Sequence, residues 1–251
     1  MSTQRRSPQQ KQPIPKLGPR MTRQRAAVGV SGAGVSGGGA ARGAGRAAGN
    51  GGAHRGTGPG AVVNAMQLVP SGPGYPTEPN LRMFNTLIHH ARERLILCSP
   101  YFVPEDSLLE AVTTACYRGV DVELYVSDTA DQFMVNHAQS SYYQALLEAG
   151  VHIYQFPYPY VLHSKFIITD PDNQEFNPLC MFGSSNMDPR SFGLNYETTM
   201  LVAKGDLLAQ FNQLAANYRA VCHELTLEEW NQRGFVRRYV DNVMRLTSAL
   251  Q

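Results

Sequence analysis

Residues 163–170 read HSKFIITD, and twelve residues further on, residues 183–186 read GSSN. In an extended strand, side chains at i and i+2 share a face, so His163 and Lys165 point together while Phe166 and Ile168 enter the opposite layer. By the same parity Ser184 and Asn186 lie together at the end of the next strand, and Glu197 stands on a third. The chemistry that uses these residue types is phosphoryl transfer. A neutral imidazole nitrogen attacks phosphorus, while an ammonium, an amide and a hydroxyl hold the non-bridging oxygens against the developing charge. A carboxylate on the other imidazole nitrogen fixes the tautomer, and Glu197 is the candidate. Neither a carboxylate cluster for Mg²⁺ nor a P-loop is visible, and the pattern implies no metal and no cofactor.

The elements that position these residues follow from period and punctuation. An apolar-periodic helix is predicted near Leu81–Glu93, then LILCSPYFV as a strand, EDSLLEAVTTACYR as a helix ended by Gly119, and VDVELYVS as a strand. SSYYQALLEA ends a further helix stopped by Gly150, and VHIYQF is the next strand. This βαβαβ run with crossover helices predicts an α/β fold, a parallel or mixed sheet covered by helices on both faces. After Leu162 the order changes: HSKFIITD and LCMFGSS are strands joined by the polar loop PDNQEFNP without a helix, and YETTMLVA is a third strand. This portion is predicted to be antiparallel, with helices over Asp206–His223 and Leu227–Leu250 packing on the sheet. No internal repeat is visible.

Composition divides the chain. Fourteen of the 23 glycines fall between Gly29 and Gly60, among Ala, Ser and Arg with no aromatic residue. Such a segment cannot offset its ordering entropy by burial, so residues 1–66 are expected to form a disordered extension and residues 67–251 the folded domain. Residues 1–77 carry ten Lys or Arg and no acid, leaving twelve basic against twenty acidic residues in the remainder. The basic tail is read as solvated, and an acidic domain argues against a nucleic-acid partner, whose groove is normally basic. The four cysteines, Cys98, Cys116, Cys180 and Cys222, lack ligand spacing and are expected to be reduced, buried thiols. No run approaches the roughly 20 apolar residues of a bilayer span.

HxKx₄D followed by GSxN resembles the signature of the phospholipase D superfamily, with His163, Lys165, Asp170, Gly183, Ser184 and Asn186 at its positions. VPSGPG, SPYFVP, RGVDVELYV, SYYQALLEAGVHIYQF, SSNMDPRSFGLNYE and DNVMRLTSALQ resemble the C-terminal half of bacterial cardiolipin synthases, particularly the actinobacterial type. The likeness runs from about Gln67 to Gln251. It implies transfer of a phosphatidyl group from one phosphatidylglycerol to another, giving cardiolipin and glycerol through a phosphohistidine on His163. It also implies an anionic phospholipid substrate at a membrane surface, on the cytoplasmic face of the cell membrane. In the catalytic set of His163, Lys165, Asp170 and Glu197, Lys165 joins Ser184 and Asn186 in binding phosphate. Asp170 belongs to that set by signature, although its opposite parity favours a structural role.

The chain departs from the family pattern in two ways. The loop between Asp170 and Gly183 is longer than usual, an addition that a hairpin turn tolerates at small entropic cost. The synthases also carry two motifs, whose histidines act as nucleophile and general acid, whereas this chain has one. His54 has no lysine two residues on and is not the missing partner. Low-complexity sequence stands where a first half and its membrane helices are expected, which suggests a truncated or frame-disrupted relative.

Three alternatives follow: a homodimer in which each chain supplies one histidine, an inactive half acting at most as a binding module, and a homodimeric phosphodiesterase or nuclease. Bland readings stand beside the sharp ones. Glu197 is equally placed to pair with Arg190, His137, His152 and His223 read as structural, and Phe156, Tyr158 and Tyr160 either pack locally or line a lipid entrance. Arg237, Arg238 and Arg245 lie on a solvated or lipid-facing helix.

Overall fold

The computed structural model describes residues 63–128 and 133–233. The extension expected over residues 1–66 lies almost wholly outside them, as do Gly234 and the three arginines beyond it. In chain order the elements are β1 (Ala65–Ser71), α1 (Pro79–His90), β2 (Arg94–Cys98), α2 (Asp106–Tyr117), β3 (Asp121–Ser127), α3 (Phe133–Ala149) and β4 (His152–Phe156). They continue as β5 (Phe166–Thr169), β6 (Leu179–Gly183), β7 (Glu197–Lys204), α4 (Leu207–Val221), β8 (His223–Leu225) and α5 (Leu227–Asn231).

The strands form one mixed eight-stranded sheet in the order β1-β7-β6-β5-β2-β3-β4-β8. β2, β3 and β4 are parallel through the two crossover helices, whereas β5, β6, β7 and β1 add antiparallel on one side and β8 on the other. The α/β architecture predicted from the sequence is the one observed.

Apolar residues on both strand parities explain why both faces are covered. Leu95 and Leu97 of β2, Val122 and Leu124 of β3 and Ile167 of β5 pack with Phe84, Leu87 and Ile88 of α1, Leu108 and Val112 of α2, and Tyr143 and Leu146 of α3. The alternate residues Ile96, Cys98, Tyr125, Phe166 and Ile168 pack with Leu208 and Ala215 of α4. The helix stops behave as read, since Gly119 and Gly150 adopt the left-handed φ that glycine tolerates. Arg118 also donates to the Ile88, His89 and Ala91 carbonyls at 3.0, 3.3 and 2.9 Å, capping the negative end of α1.

Several expectations are corrected. The strand expected over LILCSPYFV ends at Cys98, and β1 begins at Ala65, two residues before the expected boundary and without having been foreseen as a strand. The helix expected to reach His223 ends at Val221, because residues 223–225 instead pair with β4. Of the helix expected over Leu227–Leu250, Leu227–Asn231 is described.

Asp170 also differs from its grouping with the catalytic residues. It ends β5 with a left-handed φ of 47°, is buried, and accepts hydrogen bonds from the backbone N–H groups of Arg92, Glu93 and Arg94 at 2.8–3.1 Å. Its carboxylate therefore closes the turn between α1 and β2. It lies five residue steps beyond Lys165, about 16 Å along the strand, so it stands apart from His163 and Lys165. Asp170→Ala leaves these amides without a buried acceptor. The variant is expected to lose about 3 kcal/mol of stability, read as a lower urea midpoint at unchanged slope.

Candidate functional site

The direction of β5 decides where the motif lies. Because β5 runs antiparallel to β2, with Phe166 opposite Cys98, its beginning meets the carboxyl ends of β2, β3 and β4. The end of β6 and the start of β7 reach the same edge, since Phe182 pairs with Phe166 and Gly183 with Thr199. In open α/β sheets this edge is the usual place for a ligand. His163 and Lys165 lie in the extended segment just before β5 rather than inside it, one step beyond the ladder.

That segment is bonded on every side. The Ser127 hydroxyl accepts from the Leu162 N–H at 3.2 Å and donates to the Leu162 carbonyl at 3.4 Å. The Ser164 hydroxyl meets the Tyr218 hydroxyl at 2.7 Å, the Cys98 thiol approaches the Ser164 carbonyl at 3.5 Å, and the Gly183 N–H donates to the Lys165 carbonyl at 3.2 Å. The Lys165 ammonium donates to the His163 carbonyl at 2.9 Å. The imidazole of His163 itself is exposed and has no partner among the described residues.

Lys165, in contrast, is 9% exposed. Burial lowers its pKa from the ordinary 10.5, opposed chiefly by the Glu197 carboxylate and to a smaller extent by Asp188. Glu197, at the start of β7, accepts from the Ser184 hydroxyl, which in turn accepts from the Thr198 N–H at 2.9 Å. The structure thus gives Glu197 a different partner from those expected: Ser184 in place of the imidazole of His163 or of Arg190. Gly183 is required by packing, because a Cβ there would come within 2.7 Å of the Thr199 Cα.

Asn186 follows on the same loop. Beside it the Asp188 carboxyl, raised above the ordinary range by burial, accepts the Ser191 N–H at 2.7 Å. The Asn186 Oδ1 is buried without a partner among the described residues.

The structure brings His163, Lys165, Ser184, Asn186 and Glu197 to one edge. It also adds groups that sequence reasoning passed over, namely Ser127, Tyr218 and Asp188. The last stands two residues beyond the signature asparagine, a spacing that is itself a signal for a buried carboxyl serving the same loop. Phe156 packs edge-on to Tyr218 at 5.5 Å, whereas Tyr158 and Tyr160 are 73% and 70% exposed. His152 and His223 prove to have carboxylate companions, Glu224 and Glu229, at 2.7 and 2.8 Å near β8 and away from the motif.

A family model described as cardiolipin synthase, phospholipase D-like domain, matches residues 84–218. Cardiolipin synthase A of Proteus mirabilis (strain HI4320) is 36% identical over 187 residues, covering 74% of this chain and 37% of the relative. Cardiolipin synthase A of Serratia proteamaculans (strain 568) is 37% identical over the same shares. The chain thus spans little more than a third of the length of these relatives.

Among solved structures, the phospholipase D family member Nuc from Salmonella typhimurium aligns with a TM-score of 0.54 and 17% identity, over 65% of this chain and 99% of Nuc. Phosphatidylserine synthase of Haemophilus influenzae Rd KW20 aligns at 0.56 and 17% identity, over 75% and 46%. At these identities the two structures support the fold.

The electrostatics generate a prediction. The folded-state pKa of Lys165 lies below that of an unfolded lysine, so the folded chain binds this proton more weakly. The Lys165 contribution to stability therefore rises with pH between the two values. Glu197→Gln removes the main opposing charge and is expected to lower the Lys165 pKa further. The ¹³Cε resonances of the chain's four lysines are few enough to follow this titration.

Proposed function

Because the chain belongs to the cardiolipin synthase, phospholipase D-like family, we propose that it is a phosphatidyltransferase that joins two phosphatidylglycerols into cardiolipin and releases glycerol. The observation that carries this reading is an exposed imidazole on a hydrogen-bonded segment that also carries a buried ammonium, with a hydroxyl and an amide just past the end of the neighbouring strand.

The first step forms a bond from an imidazole nitrogen of His163 to phosphorus and breaks the phosphorus–oxygen bond to the headgroup glycerol, which leaves after taking a proton. In the second, a headgroup hydroxyl of another phosphatidylglycerol attacks phosphorus, the phosphorus–nitrogen bond breaks, and the hydroxyl proton passes to the base. Lys165 holds non-bridging oxygens, Asn186 donates a side-chain N–H, and Ser184, fixed by Glu197, shapes the loop beneath the phosphate. Glu197 and Asp188 keep a compensating negative charge near the lysine.

A leaving alkoxide needs an acid. In this reading the acid is His163 of a second chain, brought opposite by symmetric association. The exposed Tyr158, Tyr160, Val161, Leu194 and Tyr196 around this edge suit the boundary between water and an anionic bilayer, on the cytoplasmic face by family likeness. A phosphodiesterase acting on nucleic acid is the second reading, supported by the fold of Nuc and opposed by the acidic balance after residue 77.

The test incubates the full chain with phosphatidylglycerol vesicles and, separately, with DNA, beside His163→Ala, with mass read by light scattering. A dimer is expected that makes cardiolipin and glycerol, with turnover falling at least about a thousandfold in the alanine variant. A strict monomer that turns over lipid overturns the shared site, and DNA cleavage without lipid turnover favours the second reading.

A further inference from the structure

We propose that Ser127 and Tyr218 are positioning residues that hold His163 in place by clamping the residue on each side of it, an inference that rests on the role just given to His163. Residues 157–161 precede the motif with two highly exposed tyrosines, and the strand ladder takes hold only from Lys165 onward. Between these limits nothing in secondary structure fixes the backbone that carries the imidazole.

The fixing comes from two directions. Ser127 is buried at the end of β3, and its single hydroxyl satisfies both the N–H and the carbonyl of Leu162. Tyr218 lies on α4, in the layer on one side of the sheet, and reaches the Ser164 hydroxyl at 2.7 Å. Its ring is in turn braced by Phe156 at 5.5 Å and Tyr125 at 6.4 Å. Burial raises the Tyr218 hydroxyl above its ordinary pKa, so it keeps its proton and can donate.

These three bonds bracket His163, whose side chain has no partner among the described residues. A single-residue bracket of this kind restricts the imidazole's origin without occupying either ring nitrogen, as a nucleophile that must attack in line requires. Misplacement of about 1 Å costs on the order of a hundredfold in rate. The clamp thus acts on the rate of the chemical step and leaves substrate affinity to Lys165 and the loop of Ser184 and Asn186.

The experiment uses ¹⁵N-histidine-labelled full chain, with the His163 signal identified by its loss in His163→Ala. Ser127→Ala and Tyr218→Phe are each expected to increase the mobility of the His163 imidazole in ¹⁵N relaxation. Each should also lower kcat about tenfold to a hundredfold while KM for phosphatidylglycerol stays within about twofold. Ser164→Ala removes the same bond from its other end and is expected to match Tyr218→Phe, with no further loss in the double variant.

An imidazole equally ordered in all three variants overturns the proposal, as does an unchanged kcat in a chain that turns over lipid. A chain without lipid turnover whose imidazole nonetheless loosens in the variants retains the clamp and refutes the assigned function instead.

Discussion

The reversal of chain direction between β2 and β5 is the constraint on which the site depends. β2, β3 and β4 are parallel and joined by crossover helices, and a fourth parallel strand would have put its first residues at the opposite, amino edge of the sheet. By entering antiparallel beside β2, β5 presents its beginning at the carboxyl edge, where the ends of β3 and β6 and the start of β7 also lie. Three residues around the motif, Ser127, Gly183 and Glu197, come within reach of it for this topological reason. The same arrangement sends Asp170 to the far end of β5, where it closes the α1–β2 turn.

Charge follows from that placement. A lysine at the rim of a sheet ordinarily extends into water, but here the ammonium turns back to the His163 carbonyl and is largely buried. Burial disfavours its charge, and two carboxylates, Glu197 and Asp188, act against that penalty. Asp188 is itself raised above the ordinary carboxyl range by burial. Glu197 spends its hydrogen bond on Ser184 and leaves the imidazole of His163 without a carboxylate partner.

How much of this was legible in the sequence depends on the range of the interaction. The period of α1, α2 and α4, the glycine stops and the alternation of Ile167 against Phe166 and Ile168 are local and read correctly to within a few residues, whereas His163, Lys165, Ser184 and Asn186, expected within strands, lie just outside β5 and β6. β1 was hidden because Pro70 interrupts its pattern and its hydrogen bonds come from β7, more than a hundred residues away. β8 was hidden because three residues have no period of their own and are ordered by β4. The bonds that fix the motif segment span 35 residues to Ser127 and 54 to Tyr218. A serine at a strand end and a tyrosine on an amphipathic helix carry no local mark of such a role. Asp170 was half legible: its parity set it apart from His163 and Lys165, but only the fold supplies the three amides that occupy it.

The free imidazole bears on what the proposed reaction would still require beside one motif. A nucleophile bonded to a neighbouring carboxylate would be tuned within its own chain, whereas the His163 ring has both nitrogens open among the described residues. In the proposed reaction, the groups that would hold the phosphate are Lys165 and the loop of Ser184 and Asn186. An in-line displacement places the leaving oxygen opposite the attacking nitrogen, hence on the side away from this sheet edge. In the proposed reaction, a proton donor for that oxygen would project toward the edge from the side facing away from the sheet. A second copy bringing its own His163 meets this geometric demand with no residue that the chain does not already hold. The rings of exposed apolar side chains on residues 157–161 and 189–196 flank the approach along which it would come.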